Sequence, residues 1–203
     1  MNSYHSYAPA NGHGLRFNPF KAIVAPRPIG WISSVDAEGN VNLAPYSFFN
    51  AVCETPPVIM FSSSGRKDSL NNIEATGEFG FNLATVGLAE QIRISGAPFE
   101  AGIDELAKAG LTPVKGEVIA APLVGESPAT FECKLTEIRQ VRDAAGNKSN
   151  NYMVFGEVVR VHIKTEFLTE GRFDIVGAGT LARAGYRDYT EVDRVIEILP
   201  YSA

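Results

Sequence analysis

Eight consecutive residues, Ser62-Ser63-Ser64-Gly65-Arg66-Lys67-Asp68-Ser69, bring together the groups that a phosphate dianion needs. Hydroxyls donate hydrogen bonds, glycine lets backbone amides approach closely, Arg66 offers a planar fork and Lys67 a point charge. A helix beginning at Asp68 or Ser69 adds its free N–H groups and the positive end of its dipole. An ordinary polar loop ending in a helix cap fits the same letters, so both readings stand at this point. The chain has no Gly-x4-Gly-Lys-Ser/Thr run and no Gly-x-Gly-x-x-Gly run, which argues against a Walker-type loop and a dinucleotide-binding Rossmann fold.

A second candidate is Ser47-Phe48-Phe49-Asn50. Its amides and the Asn50 side chain suit the polar edge of a flat ring system, and its aromatic rings suit the apolar edge. At least one of the two phenylalanines is expected to fill the core instead. Trp31 shares a strand face with Ser33 and fits a pocket wall or the core equally well.

Other chemistries find little support. His5, His13 and His162 are scattered, with no Cys/His spacing for zinc, so no metal site is expected. His162 alternates with Arg160 and Lys164 and reads as solvated. No Gly-x-Ser-x-Gly elbow is present. Asp104, Glu105 and Glu197 read as surface charges, and Cys53 and Cys133 as buried reduced thiols.

The elements that must position these residues are mostly strands. Ile29 to Val35 alternates, Asp36 to Asn40 (DAEGN) is turn chemistry, and Val41 to Ser47 returns as a hairpin partner. Pro56-Pro57 interrupts the chain before an apolar strand, Val58 to Phe61. A helix follows, capped by Asp68 or Ser69 and ended by Gly77. Phe79, Phe81 and Leu83 alternate as a strand. Leu88 to Ile94 and Ile103 to Ala109 read as short helices. Thr130 to Val141 and Tyr152 to Lys164 read as long strands joined through Asp143 to Asn151. Residues 1–14 read as a flexible arm, and residues 15–203 as one domain with a single core. Strands outnumber helices and the order is not βαβ, which predicts a mainly β, closed or split antiparallel barrel with helical insertions.

With 18 Lys+Arg against 23 Asp+Glu, the net charge is −5, which argues against broad nucleic-acid binding. Apolar runs are too short to cross a bilayer and the N-terminus is polar, so a cytoplasmic location is expected.

Three motifs in combination resemble the flavin reductase-like, FMN-binding split-barrel family. They are Arg27-Pro28 to Ser33-Ser34, Asn42 to Asn50 (NLAPYSFFN), and Lys67-Asp68-Ser69. The resemblance extends over most of residues 17–190. Ser34 and Ser69 stand where the family has threonine and keep the hydroxyl. The family's Ala-Arg-Leu-Gly-Gly-x-x-Tyr-Thr pattern meets Ala182 to Thr190 here, with Arg183 and Tyr189 matching and Tyr186 in place of the second glycine. The resemblance implies a split barrel, a homodimer and bound FMN reduced by NADH or NADPH. It places Ser62, Ser63, Ser64, Arg66, Lys67, Asp68 and Ser69 at the phosphate and ribityl end. Trp31, Ser33, Ser34, Ser47, Phe48, Phe49 and Asn50 would surround the ring, with Arg183 and Tyr189 beside the pocket. It names no catalytic side chain, because flavin N5 accepts hydride itself. Electrons would leave to free flavin, a partner oxygenase or another acceptor. An FMN electron carrier not reduced by nicotinamide and a flavin-free binding module are the alternatives.

Overall fold

The computed structural model describes residues 3–100 and 102–200. The first two residues of the expected arm and the last three of the expected domain lie outside them. In chain order the elements are α1 (Phe20–Ile23), β1 (Arg27–Pro28), β2 (Gly30–Val35), β3 (Val41–Tyr46), β4 (Phe49–Glu54), β5 (Pro57–Ser64), α2 (Asp68–Thr76) and β6 (Glu78–Leu83). Then come α3 (Ala89–Ser95), α4 (Glu105–Lys108), the two-residue strands β7 (Pro113–Val114) and β8 (Leu123–Val124), and the long hairpin β9 (Ala129–Arg142) and β10 (Lys148–Ile163). The chain closes with β11 (Leu168–Thr169), β12 (Arg172–Phe173), β13 (Leu181–Gly185) and β14 (Asp188–Glu191).

Seven strands form one antiparallel sheet in the order β3-β2-β6-β9-β10-β5-β4. A hydrogen-bonded closed ring, one of the two expected forms, is therefore not what the described residues build. The first and last strands of the sheet are nonetheless consecutive in the chain, joined only by Ser47 and Phe48. The covalent chain crosses the gap that hydrogen bonds leave open. Inside the curl lie Ile32, Phe61, Phe79, Cys133 and Val154, with Leu70 and Ile73 of α2 packed against them. Tyr46 and Phe61 face one another with ring centroids 4.5 Å apart, and Phe49 stacks on Phe81 at 5.0 Å. Gly30 makes room for that ring, since a Cβ there would lie 2.4 Å from Phe49 Cδ2. A second apolar layer, with Trp31, Leu43, Ile92 and Leu106, joins the outer face of β2–β3 to α3 and α4.

Two hairpins share one turn design. In DAEGN the Asp36 carboxylate accepts from the backbone N–H groups of Glu38 and Asn40 and from Asn40 Nδ2. In DAAGN the Asp143 carboxylate accepts from Ala145, Asn147 and Asn147 Nδ2 in the same way. Gly39 and Gly146 take the left-handed conformation (φ 89° and 87°) that each turn needs.

Several expectations change. Ser62, Ser63 and Ser64 belong to β5 and pair with Met153, Tyr152 and Asn151 of β10, so they are strand residues and not a loop. The polar run reads as a loop only because its pairing partner lies far along the chain. Neither Asp68 nor Ser69 caps α2; Lys67 occupies the cap position without a side-chain bond, while Gly77 ends the helix as expected at φ 73°. Cys53 is exposed, because β4 is an edge strand whose outward residues meet solvent; Cys133 is buried. His162 is not a freely solvated residue, since its Nε2 lies 2.7 Å from Glu132 Oε1.

Glu132 is fully buried and holds the 117–119 segment against the sheet. Burial alone would raise its pKa. The N–H of Glu117, the His162 ring and the N–H groups of Val118 and Ile119 outweigh that and bring it down to about 2. A depressed carboxylate stabilises the fold above its unfolded value and loses that contribution as pH falls towards the folded value. Stability should therefore drop by roughly 3 kcal/mol between about pH 4.5 and pH 2 on account of this group. Denaturant unfolding of Glu132→Gln against pH should show a lower plateau at neutral pH and a flatter acid limb; an unchanged acid limb would remove Glu132 from that role.

Candidate functional site

Two concave lobes meet at a wall formed by Pro45 and Gly96, residues that line both. The first, about 430 Å³, lies at the start of α2, where Lys67, Asp68 and Ser69 face β3 and the segment after α3. The second, about 330 Å³, lies between α1, α3 and the β13–β14 hairpin. A Cβ on Gly96 would sit 3.1 Å from Pro45 Cγ, so glycine there lets the end of α3 pack closely against β3 at the wall between the lobes.

The shared wall is held by two residues of β2. Trp31 Nε1 donates to Ser95 Oγ (2.9 Å), fixing the end of α3 immediately before Gly96. Ser34 accepts from Asn42 Nδ2 (3.4 Å) and Asn72 Nδ2 (3.3 Å), while Asn42 Nδ2 also reaches Ser69 Oγ at 2.7 Å. This amide–hydroxyl cluster pins the first turn of α2 to β2 and β3. Burial pushes the Tyr46 phenol up, partly offset by the Ser69 and Ser63 side chains.

Six of the sixteen expected site residues line the lobes: Lys67, Asp68 and Ser69 in the first, Ser47, Arg183 and Tyr189 in the second. Trp31, Ser33 and Ser34 are buried and bonded within the chain, and act as supports behind the wall. Phe49 is a core residue and Asn50 is exposed on the edge strand. Phe48 lies half-exposed under the Lys21 ammonium, 5.7 Å from its ring centroid. Ser62, Ser63 and Ser64 lie on β5, outside both linings, and Arg66 pairs with Glu74 and covers the Tyr152 ring instead of turning towards Lys67.

Sequence reasoning missed Asn42 as a site residue, and it took Glu105 for a surface charge. Glu105 lines the first lobe, is buried, and accepts the Leu43 N–H at 3.0 Å; Asp104 supplies the cap of α4 by accepting from Ala107. Arg27 also escaped attention beyond its place in a motif, yet it is buried and lines the second lobe. Tyr186, at the motif's missing glycine, adopts φ 45°, the left-handed region where glycine is at ease.

The lobes differ in charge. The first sets Lys67 against Asp68 and Glu105, with hydroxyls and amides around them. The second carries Lys21, Arg27, Arg93 and Arg183 and, among the described residues, no carboxylate in its lining. Such a groove can hold an elongated, polyhydroxylated ligand with an anionic end. A larger concavity of about 810 Å³ lies elsewhere, on β4, β5 and β10, with a mostly apolar lining that suits contact with another protein surface.

Residues 24–181 match the family model described as the flavin reductase like domain. An uncharacterised protein of Aquifex aeolicus is 37% identical over 153 residues, spanning 73% of this chain and 74% of that protein. Among solved structures, nitrilotriacetate monooxygenase component B from Bacillus cereus is 28% identical, with a TM-score of 0.87, covering 98% of this chain and 100% of that one. Flavoredoxin of Desulfovibrio vulgaris is 26% identical, with a TM-score of 0.71, covering 87% and 90%. The split-barrel fold is common to this chain and to such structures.

Burial raises the Glu105 pKa, the Leu43 N–H works against it, and the charges of Asp68 and Asp104 reinforce it. A raised carboxyl favours the fold fully below its unfolded value and loses that contribution as pH climbs through the folded one. Glu105→Gln keeps an acceptor for Leu43 and should abolish the stability lost on raising pH above about 4.3. Glu105→Ala strands the Leu43 N–H and should cost about 1–3 kcal/mol at any pH. Urea unfolding of the three proteins across pH 4 to 8 (roughly the span above the ordinary glutamate value) checks both; parallel curves would rule out the assignment.

Proposed function

The chain belongs to the family of flavin reductase-like domains, and from that membership we propose that it is an FMN-binding flavoprotein oxidoreductase reduced by NADH or NADPH. The observation that carries the reading is the groove itself. Its first lobe sets a helix start, a lysine and a bonded hydroxyl (Lys67, Ser69) beside the Pro45–Gly96 wall that the second lobe shares. These residues fit FMN: Lys67, Ser69 and the first amides of α2 suit a phosphate. Asn42, Asp68 and Glu105 suit ribityl hydroxyls, and Ser47, Arg183 and Tyr189 lie where a ring would extend. Trp31 and Ser34 hold the walls. The chemistry supplied by bound flavin is two-electron transfer at its ring, which asks the protein chiefly to bind, orient and exclude water. No side chain is assigned as acid or base.

The second reading, an electron carrier not reduced by nicotinamide, is favoured by the likeness to a flavoredoxin. Electrons would pass to free flavin, a partner oxygenase or another acceptor; likeness to a monooxygenase component supports the oxygenase. We assign a homodimer to the apolar face of β4 and β10. There the edge strand lies open and Val52, Val159 and Val161 are 48%, 43% and 49% exposed.

Purified protein titrated with FMN should acquire a bound flavin spectrum, which NADH or NADPH should bleach under anaerobic conditions. Bleaching by dithionite alone would select the carrier, and failure to take up FMN would sink both. Lys67→Ala should weaken FMN binding by about 1–3 kcal/mol, whereas Arg66→Ala, engaged with Glu74, should leave it unchanged. Equal affinity in Lys67→Ala would remove the start of α2 from the site. Light scattering should show a dimer that Val159→Asp splits; a monomeric wild type would refute the assignment of that face.

A further inference from the structure

The β13–β14 hairpin turns through Tyr186 and Arg187 alone. A connection this short asks for a positive φ at its first position, which glycine or asparagine meets with little strain. Tyr186 takes it at φ 45°; Glu170 is the only other non-glycine residue with positive φ among the described residues. Such strain persists where the surroundings hold it in place. Here Arg183 Nη2 donates to the Tyr186 carbonyl at 2.6 Å, while the Arg183 guanidinium lies 4.3 Å from the Tyr189 ring centroid. The Tyr186 ring meets Phe17 edge to face at 5.8 Å, and Arg16 covers Phe17, 5.1 Å from its centroid. Gly185 lies so close to α1 that a Cβ there would sit 2.6 Å from Ala22 Cα. Glycine at 185 therefore lets the hairpin close on α1, and the Phe17 contact ties its tip to the segment entering that helix.

Tyr186 also lines the second lobe, beside Ser47, Arg183 and Tyr189, with 49% of its area exposed. At about 330 Å³ this lobe is near the small end of ligand pockets, which run roughly from 300 to 1,000 Å³. A single planar ring system takes up a space of that size. We infer that Tyr186 is a specificity-determining residue: by tying the hairpin to the segment before α1 it keeps a second flavin-sized ring system out of the lobe. The second substrate is then limited to single-ring molecules. The inference rests on the flavin reading of this groove and narrows its acceptors by removing free flavin from them. A nicotinamide and a benzoquinone each present a single ring, whereas riboflavin is a fused tricycle.

Equilibrium dialysis of FMN-loaded protein against riboflavin is the direct probe, with Tyr186→Gly as the variant and Tyr186→Phe as the conservative one. Wild-type protein should retain its FMN and take up no riboflavin beside it. Tyr186→Gly, at ease in the left-handed region, should hold riboflavin alongside FMN, with its melting temperature level or higher. Tyr186→Phe keeps the ring and should behave as the wild type. A tyrosine that only braces the turn would instead lower the melting temperature of Tyr186→Gly and leave riboflavin uptake at zero. Riboflavin uptake by the wild type, or none by folded Tyr186→Gly, overturns the proposal. Should Tyr186→Gly not fold, Phe17→Ala, which frees the ring without altering the turn, decides in the same way.

Turnover gives the second readout. Reduction of either acceptor takes a hydride from NADH or NADPH and a proton from solvent, and yields hydroquinone from benzoquinone or dihydroriboflavin from riboflavin. The kcat/KM for riboflavin relative to that for benzoquinone should rise about tenfold or more in Tyr186→Gly and stay level in Tyr186→Phe. Equal ratios in the wild type and both variants overturn the proposal. Protein that takes up no FMN at all would refute the flavin reading, whereas FMN-loaded wild type that also holds riboflavin refutes only the role of Tyr186.

Discussion

The two ends of a seven-stranded sheet are consecutive strands, and a junction of two residues, Ser47 and Phe48, spans the distance between them. That constraint sets the curvature of everything else. The sheet must bend until β3 and β4 are one covalent step apart, and the bend is filled by rings from both sides of the junction. Tyr46 meets Phe61, Phe49 meets Phe81, and Gly30 leaves the space that Phe49 requires. Large aromatic side chains suit this position because each contributes a broad apolar surface with few rotatable bonds. The groove runs along the outside of the same bend, where Pro45, the residue before Tyr46, forms the wall common to both lobes.

The supports behind that wall explain why polar residues are buried there. Trp31, Ser33, Ser34, Asn72 and Asn82 meet partners inside the chain, so their burial costs little and fixes geometry. Glu132 does comparable work further along the sheet, in cross-strand line with Ser33 through Gly80, gathering three backbone N–H groups of one segment onto a single carboxylate. The cationic lobe follows a different rule: Arg27 donates to the carbonyls of Lys21 and Val24 and Arg183 to that of Tyr186, and neither has an acidic partner among the described residues.

What the sequence makes legible is local. The DAEGN and DAAGN turns declare themselves because each aspartate bonds to groups within four residues, and Gly77 ends α2 by its own conformation. The alternation around Trp31 and Ile32 places one in each apolar layer. What escapes is long-range. Ser62 to Ser64 read as a loop because the residues that make them a strand, Asn151 to Met153, come some ninety positions later. Glu105 reads as a surface charge because the Leu43 N–H it receives lies 62 residues away. The same separation hides the contact between Arg27 and Arg183, and with it the charge of the second lobe. The family motifs reach further than periodicity does, but they merge residues that line the groove with residues that only brace it.

The paired turns bear also on how such a sheet assembles. β2–β3, β4–β5 and β9–β10 are hairpins whose strands are joined by short connections, so each can close with little loop entropy. β6 belongs to none of them. It lies between β2 and β9, with Phe81 opposite Ile32 on one side and Phe131 on the other. The three locally encoded ribbons thus become one sheet through two non-local joins: β5 pairs with β10, and the six residues Glu78–Leu83 alone tie the β2–β3 ribbon to the rest.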